Sequence, residues 1–380
     1  MTPKSRSAPM LMTLAVAIGS LALGACSSSS TKGQATTSEA PAKSDSVATQ
    51  AQGIADKLTQ RPTQLTVTDP ITKPVPTGKK IVWLQCSIPD CAILGPPLKT
   101  ASEYFGWSVD TINAGITPES VKAAWDLAVR AKPDAVVATG FPRSIFETEL
   151  KQLAAAGTKV VDGYVTDPPA DGITVTFAGR SSSRAIGDAM ATWVLSKKGK
   201  ASNVLLVHSS SFPTLGDVKD GFEGRYKALC SACKETVLDE PATAIGKDLP
   251  QNVAAKLRSD SSINYVVAEE GNMLLGLPEA LKAAGINVPV IGQYPSETSI
   301  QYLKDGSIVK AIVMTQQVDS MFQATDALAR AFAGQDFQAD QPASPTWIVT
   351  PQTASQLESP YYLTPDYVSK YEAVWKGGKS

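Results

Sequence analysis

The 380-residue sequence has a single histidine, His208. That excludes His-rich metal sites and confines histidine-based catalysis to one position. No Gly-x-Ser-x-Gly elbow presents a nucleophile, and no glycine run has phosphate-loop spacing. His208 followed by Ser209, Ser210 and Ser211 leaves a hydrolase as a remote alternative only. Charge of one sign is also missing: 35 Lys and Arg stand against 36 Asp and Glu, net -1, with no long basic run. Nucleic acid is therefore not an expected partner. Nothing in the chain implies a cofactor or a metal.

What is present suits two globular domains, with 43% hydrophobic and 19% charged residues. Residues 1–25 carry Lys4 and Arg6, an apolar centre over 10–23, and small residues at Gly24 and Ala25. The apolar run is short and a polar tract follows it, which reads as a secretory signal rather than a membrane span. The stretch 27–50, rich in Ser, Thr, Ala, Gln and Lys, reads as a flexible tether, and the linker is expected to run to residue 78. Within it, 46–60 has the pattern of a short amphipathic helix, and the Pro-punctuated run 62–76 reads as extended.

From Lys79 onward, strand and helix patterns alternate. The apolar run Ile81 to Leu84, a loop bracketed by Cys86 and Cys91, and a candidate helix before Trp107 form an opening βα unit. Further strands are expected over 108–113, 135–139, 159–162, 173–177, 203–208, 235–238, 265–268 and 288–291. Helices are expected over 118–131, 144–156, 184–197, 217–229, 249–259 and 273–284. Thr117-Pro118-Glu119 is a good helix start, and Gly157 and Gly285 sit where helix C-caps belong. Such alternation predicts an α/β protein with doubly wound parallel sheets, one in each of two lobes. In open parallel sheets the ligand crevice lies at the carboxyl ends of the strands.

Several passages resemble type I periplasmic binding proteins of the ribose-binding group. They are 265–293 (YVVAEEGNMLLGLPEALKAAGINVPVIGQ), Leu303-Lys304-Asp305-Gly306-Ser307 with 311–316, and Lys132-Pro133-Asp134-Ala135-Val136. The likeness covers about 79–350. Leu23-Gly24-Ala25-Cys26 is similar to a bacterial lipobox, in which Cys26 is lipidated. Together these imply a solute-binding lipoprotein of an ABC importer, extracytoplasmic, monomeric, and anchored to the cell membrane by the lipid on Cys26. It would capture a small molecule between two lobes and deliver it to a permease. A ligand sensor signalling to a membrane kinase is the alternative. The family's chain crosses between lobes three times, which would fall near 178–180, 309–311 and 341–345. The first lobe is then 79–178 plus 311–340, and the second 180–309 plus 346–350. The aromatic tail 351–380 is expected to pack on a lobe surface.

The resemblance places Ser87, Asp90, Phe141, Tyr164, Arg180, Phe212, Asn272, Gln293, Tyr294 and Gln316 at the ligand. The family's sugar binders offer Asp and Arg to vicinal hydroxyls. Here Gln293 or Tyr294 stands for the expected aspartate, Val218 and Lys219 for the arginine, and Tyr164-Val165-Thr166 follows the fourth strand. These departures predict a sugar-like or, more so, a cyclic or aromatic ligand with few hydroxyls, with Arg180 paired to a carboxylate or carbonyl. Asn272 is expected at the ligand, with Glu270 capping the next helix. In an oxidising compartment Cys86, Cys91, Cys230 and Cys233 can pair in three ways. The two-lobe architecture favours Cys86–Cys91 and Cys230–Cys233, because a bridge between lobes would block their motion. A redox role for Cys230-Ser231-Ala232-Cys233 is a remote alternative, since the motif follows a helix rather than starting one.

Overall fold

The computed structural model describes residues 45–87 and 89–379. The signal, the tether up to residue 44 and Cys26 lie outside the described residues. Among the described residues eleven strands form two sheets. The first holds β1 (Lys80–Cys86), β2 (Ser108–Gly115), β3 (Ala135–Thr139), β4 (Lys159–Gly163) and β5 (Val175–Phe177) in the order β2-β1-β3-β4-β5, all parallel. The second holds β6 (Asn203–His208), β7 (Lys234–Asp239), β8 (Tyr265–Ala268), β9 (Val290–Gln293), β10 (Val309–Met314) and β11 (Trp347–Val349). Its order is β11-β10-β9-β8-β6-β7, so β7-β6-β8-β9-β10 repeats the order of the first sheet, and β11 adds antiparallel to β10.

Central strands such as β6 are buried along their whole length, while the edge strands β2 and β7 alternate with exposed polar residues. That contrast is what a parallel sheet covered on both faces produces. The helices are α1 (Ser46–Leu58), α2 (Pro89–Ala92), α3 (Gly95–Tyr104), α4 (Pro118–Ala131), α5 (Glu147–Ala155), α6 (Arg180–Lys198), α7 (Pro213–Leu229), α8 (Leu249–Ser259), α9 (Leu277–Ala283), α10 (Glu297–Lys304), α11 (Ser320–Ala333) and α12 (Tyr367–Trp375). Thr117 and Ser120 form a capping box at the start of α4, with Pro118 in its first turn. The helix expected over 273–284 is broken: a 3-10 turn, Gly271–Leu274, precedes α9, and Gly276 joins them at φ 72°. Helices α6 and α7 begin four residues earlier than their apolar spacing indicates.

Helices α6 and α7 cross with almost no space between them. A Cβ on Gly187 would lie 1.9 Å from the Val218 carbonyl oxygen, and one on Gly221 2.1 Å from that of Arg184. Only glycine lets the two backbones approach this closely.

The lobe boundaries differ from expectation in three places. Residues 311–314, expected in the first lobe, belong to β10 of the second sheet, so the crossing falls over 315–319. The apolar run Ala311 to Met314 is a central strand, and the chain can leave only after it ends. Residues 45–78 are not a flexible linker. Ala51 and Ala55 of α1 are fully buried and α1 packs on α6, while Leu65, Ile71 and Val75 enter the first-lobe core. The tail packs on both lobes rather than on one. Ala354, Leu357 and Leu363 belong to the second-lobe core, and Tyr371 and Trp375 to the first. Trp375 stacks on Phe322 at 5.5 Å and donates to Asp326 Oδ1 at 2.9 Å. Both termini therefore cross between lobes as well. Arg61 ties them together, donating to the carbonyls of Leu363, Gln356 and Tyr362 at 3.0, 2.7 and 2.8 Å.

Candidate functional site

In each sheet the strand order reverses direction once, between β1 and β3 and between β6 and β8. Loops leaving such neighbours diverge to opposite faces and leave a crevice at the strand ends. Here the two crevices face one another and form one cleft of about 660 Å³. That volume suits a small organic molecule.

The first-lobe wall is made by Cys86, Cys91 and Leu94, by Ile116 and Pro118, by Thr139 to Pro142 with Ile145, and by Tyr164. The second-lobe wall comes from Ser183 and Ile186 of α6, Ser211 to Leu215 with Val218, Ala242 and Ile245, Glu270, Asn272 and Leu275, and Gln293 and Tyr294. Gln317 contributes from the crossing. Among the described lining residues there is no lysine or arginine, and Glu270 is the one carboxylate. Apolar and aromatic side chains make up most of the surface.

Of the expected ligand residues, Phe141, Tyr164, Phe212, Asn272, Gln293 and Tyr294 meet in this cleft. Asp90 falls on α2, but its side chain lies outside the described residues. Ser87 is turned away, its hydroxyl donating to Asn113 Oδ1 at 2.9 Å. Arg180 does not line the cleft: it pairs with Asp217 Oδ1 at 3.3 Å across α6 and α7, and its side chain is 57% exposed. Asp217, buried at that crossing, draws both Arg180 and Arg184 to itself. Gln316 is buried and does not line the cleft, and its neighbour Gln317 takes the cleft position.

The polar anchors are set by short hydrogen bonds. Glu270 accepts from the Asn272 backbone N–H at 2.8 Å and from Asn272 Nδ2 at 2.7 Å. This caps the 3-10 turn and leaves the side-chain carbonyl oxygen of Asn272 for a ligand. Gln293 is the last residue of β9, which runs two residues further than its apolar run suggests. The side-chain carbonyl oxygens of Gln293 and Gln317 are buried without a partner among the described residues. Such acceptors favour a ligand that brings O–H or N–H donors.

Beside the cleft, His208 Nδ1 lies 2.5 Å from Glu269 Oε2. This pair joins the ends of β6 and β8 and settles His208 as a strand-end residue with a partner. Burial pushes the Glu269 carboxyl up to about 7, and the hydrogen bond to Glu269 raises the His208 imidazole. The Cys86–Cys91 bridge forms part of the first-lobe wall, with Cα atoms 5.6 Å apart. Cys230–Cys233 bridges the turn between α7 and β7, at the strand end opposite the cleft.

The sequence reading missed the wall residues after β2 and β7 (Ile116, Pro118, Ala242 and Ile245) and the inner face of α6. The signal was present in the first case, because those loops also follow strand carboxyl ends. For Ser183 and Ile186 only the packing of α6 turns that face to the cleft.

Residues 94–336 match the periplasmic binding protein domain family. No curated protein matches the chain in sequence. In structure it is similar to an ABC transporter solute-binding protein from Agrobacterium vitis with bound allitol. The TM-score is 0.64 at 20% identity, covering 74% of this chain and 98% of that one. A 5-methylthioribose transporter solute-binding protein from Thermotoga lettingae, in complex with 5-methylthioribose, gives 0.65 at 14% identity over 80% and 94%. A periplasmic ribose ABC transporter from Conexibacter woesei gives 0.61 at 18% identity over 75% and 95%. With a family match over more than half its length and two α/β lobes facing across their switch points, the chain belongs to the periplasmic binding proteins, type I in architecture.

Proposed function

We propose that the protein is an extracytoplasmic solute-binding lipoprotein, anchored through Cys26, that captures one small molecule between its lobes and hands it to an ABC-type permease. Family membership and the cleft between paired switch points support this reading. A ligand touching both walls stabilises the closed arrangement over the open one, and closure presents both lobe faces to the partner together.

The cleft lining carries the ligand class. It has four aromatic rings, Phe141, Tyr164, Phe212 and Tyr294, buried amide oxygens on Gln293 and Gln317, and no basic side chain among the described residues. A ring-bearing ligand with few hydroxyls and no negative charge fits that surface. Arg180 supplies no carboxylate site, because Asp217 already holds it.

Thermal unfolding of the chain from residue 27 onward tests this against hexoses, polyols including allitol, 5-methylthioribose, neutral ring compounds and aromatic acids. A ligand at about a hundred times its dissociation constant adds roughly 2.7 kcal/mol. Neutral ring compounds should raise the midpoint and aromatic acids should not. Stabilisation by hexoses or polyols alone would overturn the ligand class, and stabilisation by nothing would overturn ligand capture. Replacing Cys26→Ala should release the protein from the membrane fraction.

A further inference from the structure

Behind the first-lobe wall lies a second cavity of about 10 Å³, close to the room one water molecule needs. Its walls are apolar, among them Leu84, Ala138, Trp125 and Phe146, and its one charged-type side chain is Asp162. Asp162 sits on β4 beside Ala138 of β3 and is 1% exposed. Neither carboxyl oxygen has a hydrogen-bond partner of ordinary geometry among the described residues, although the Gly163 backbone amide is near enough to act weakly on the carboxyl. Burial, with Asp167 nearby, pushes this carboxyl well above the usual carboxylate range.

The fold gains nothing from an acid at this position. Val160, on the same face of β4, packs into the apolar cluster with Leu150 and Ile173, and an apolar residue at 162 would extend it. A buried polar group without a partner calls for a reason other than packing. The position of the cavity supplies one. Thr139 and Phe141 line both this cavity and the cleft, so their side chains form the partition between the two. Trp125 and Phe146, stacked at 4.0 Å, make a fixed back wall. Phe141 is only half-buried and follows Gly140 in the loop after β3.

We propose that Phe141 caps a deeper subsite of the cleft, and that the Asp162 carboxyl at its end binds a hydroxyl group of the ligand. The space admits one non-hydrogen atom. A hydroxyl can donate to an unpartnered carboxyl oxygen and accept from a carboxyl proton, so it suits both oxygens of Asp162. A ligand carboxylate would meet no positive charge there, and an ammonium would require an ionised Asp162 in apolar surroundings. The proposal rests on the reading of the cleft as the ligand site and specifies which end of the ligand goes deepest.

Calorimetric titration of the mature protein with toluene, benzyl alcohol and benzylamine tests it, using wild type, Asp162→Val and Asp162→Asn. Benzyl alcohol should bind wild type about tenfold more tightly than toluene. Asp162→Val should remove that preference and leave toluene binding as it was, while Asp162→Asn should retain most of it. In the infrared, the protonated-carboxyl band absent from Asp162→Asn should shift on addition of benzyl alcohol but not of toluene. This second readout stands even if the valine variant fails to fold. Equal preference in wild type and Asp162→Val, or an unmoved band, would overturn the subsite and leave the cleft reading intact. Tighter binding of benzylamine would overturn the hydroxyl assignment. Binding of none of the three would overturn the ring-ligand reading and the subsite with it.

Discussion

Tyr164 and Tyr294 occupy the same place in the two lobes, and their rings meet edge to face at 6.4 Å. Each directly follows the corresponding strand, β4 in one sheet and β9 in the other. Both have left-handed backbone, φ 55° and 51°, an uncommon state for a bulky residue that costs on the order of 1 kcal/mol. The same local strain held at both cleft edges points to ligand contact. Replacing either tyrosine with alanine should weaken a ring-bearing ligand about tenfold. Tyr164→Phe should leave the ring contact but lose the hydroxyl bonds to the Gln316 carbonyl and Ser320 Oγ, costing about 1 kcal/mol in urea unfolding. Unchanged affinity in both alanine variants would remove the pair from the site.

Arg180→Ala should leave ligand affinity unchanged, because Arg180 faces Asp217 rather than the cleft. Its half-exposed ion pair contributes about 0.2–1 kcal/mol to stability. Gln293→Ala, which removes a buried cleft acceptor, should weaken binding about tenfold. Titration calorimetry of both variants separates the two positions, and a large loss with Arg180→Ala would reverse the assignment.

Gly221→Ala should destabilise the second lobe by about 3 kcal/mol in chemical denaturation. Alanine is the better helix former by about 1 kcal/mol. Its methyl, however, would meet the Arg184 backbone, which cannot yield without separating α6 from α7. A neutral or stabilising effect would mean that the helices can part at little cost.

Stability should fall as pH rises through neutrality. Glu269 and His208 both have raised values in the folded chain, the first by burial to about 7, the second by its bond to Glu269. The folded state therefore binds more protons than the unfolded chain between the ordinary values, near 4.5 and 6.5, and the raised ones. This contribution is complete below the ordinary values and is lost as pH climbs past the folded ones. Unfolding midpoints measured from about pH 6 upward should decline, and Glu269→Gln should flatten the decline. A midpoint that rises across that window would contradict the pairing.

Much of the architecture is legible without coordinates. Continuous apolar runs such as 204–207 mark doubly covered strands, and Thr117-Pro118 marks a helix start because local chemistry alone decides both. Strand ends are less legible. The apolar run of β9 stops before Gly292 and Gln293, yet backbone pairing with β10 carries the strand through both residues. Tyr294, Asn272, Phe141 and Phe212 line the cleft, where the family resemblance and their position after strands put them.

The sequence by itself determined the secondary-structure alternation, the two-lobe class and the loops that form the cleft, since each depends on periodicity and on the chemistry of neighbouring residues. Only tertiary structure decided the rest. Arg180 reads as a free cation until α7 brings Asp217 beside it, and Gln316 stands for the cleft residue until the folded crossing turns Gln317 to the cleft instead. The polar stretch 45–78 looks like a tether because its few apolar residues are far apart in sequence. Ala51, Ile71 and Val75 become core residues only because two lobes and the aromatic tail offer them surfaces to fill, and burial depends on partners that no local pattern records.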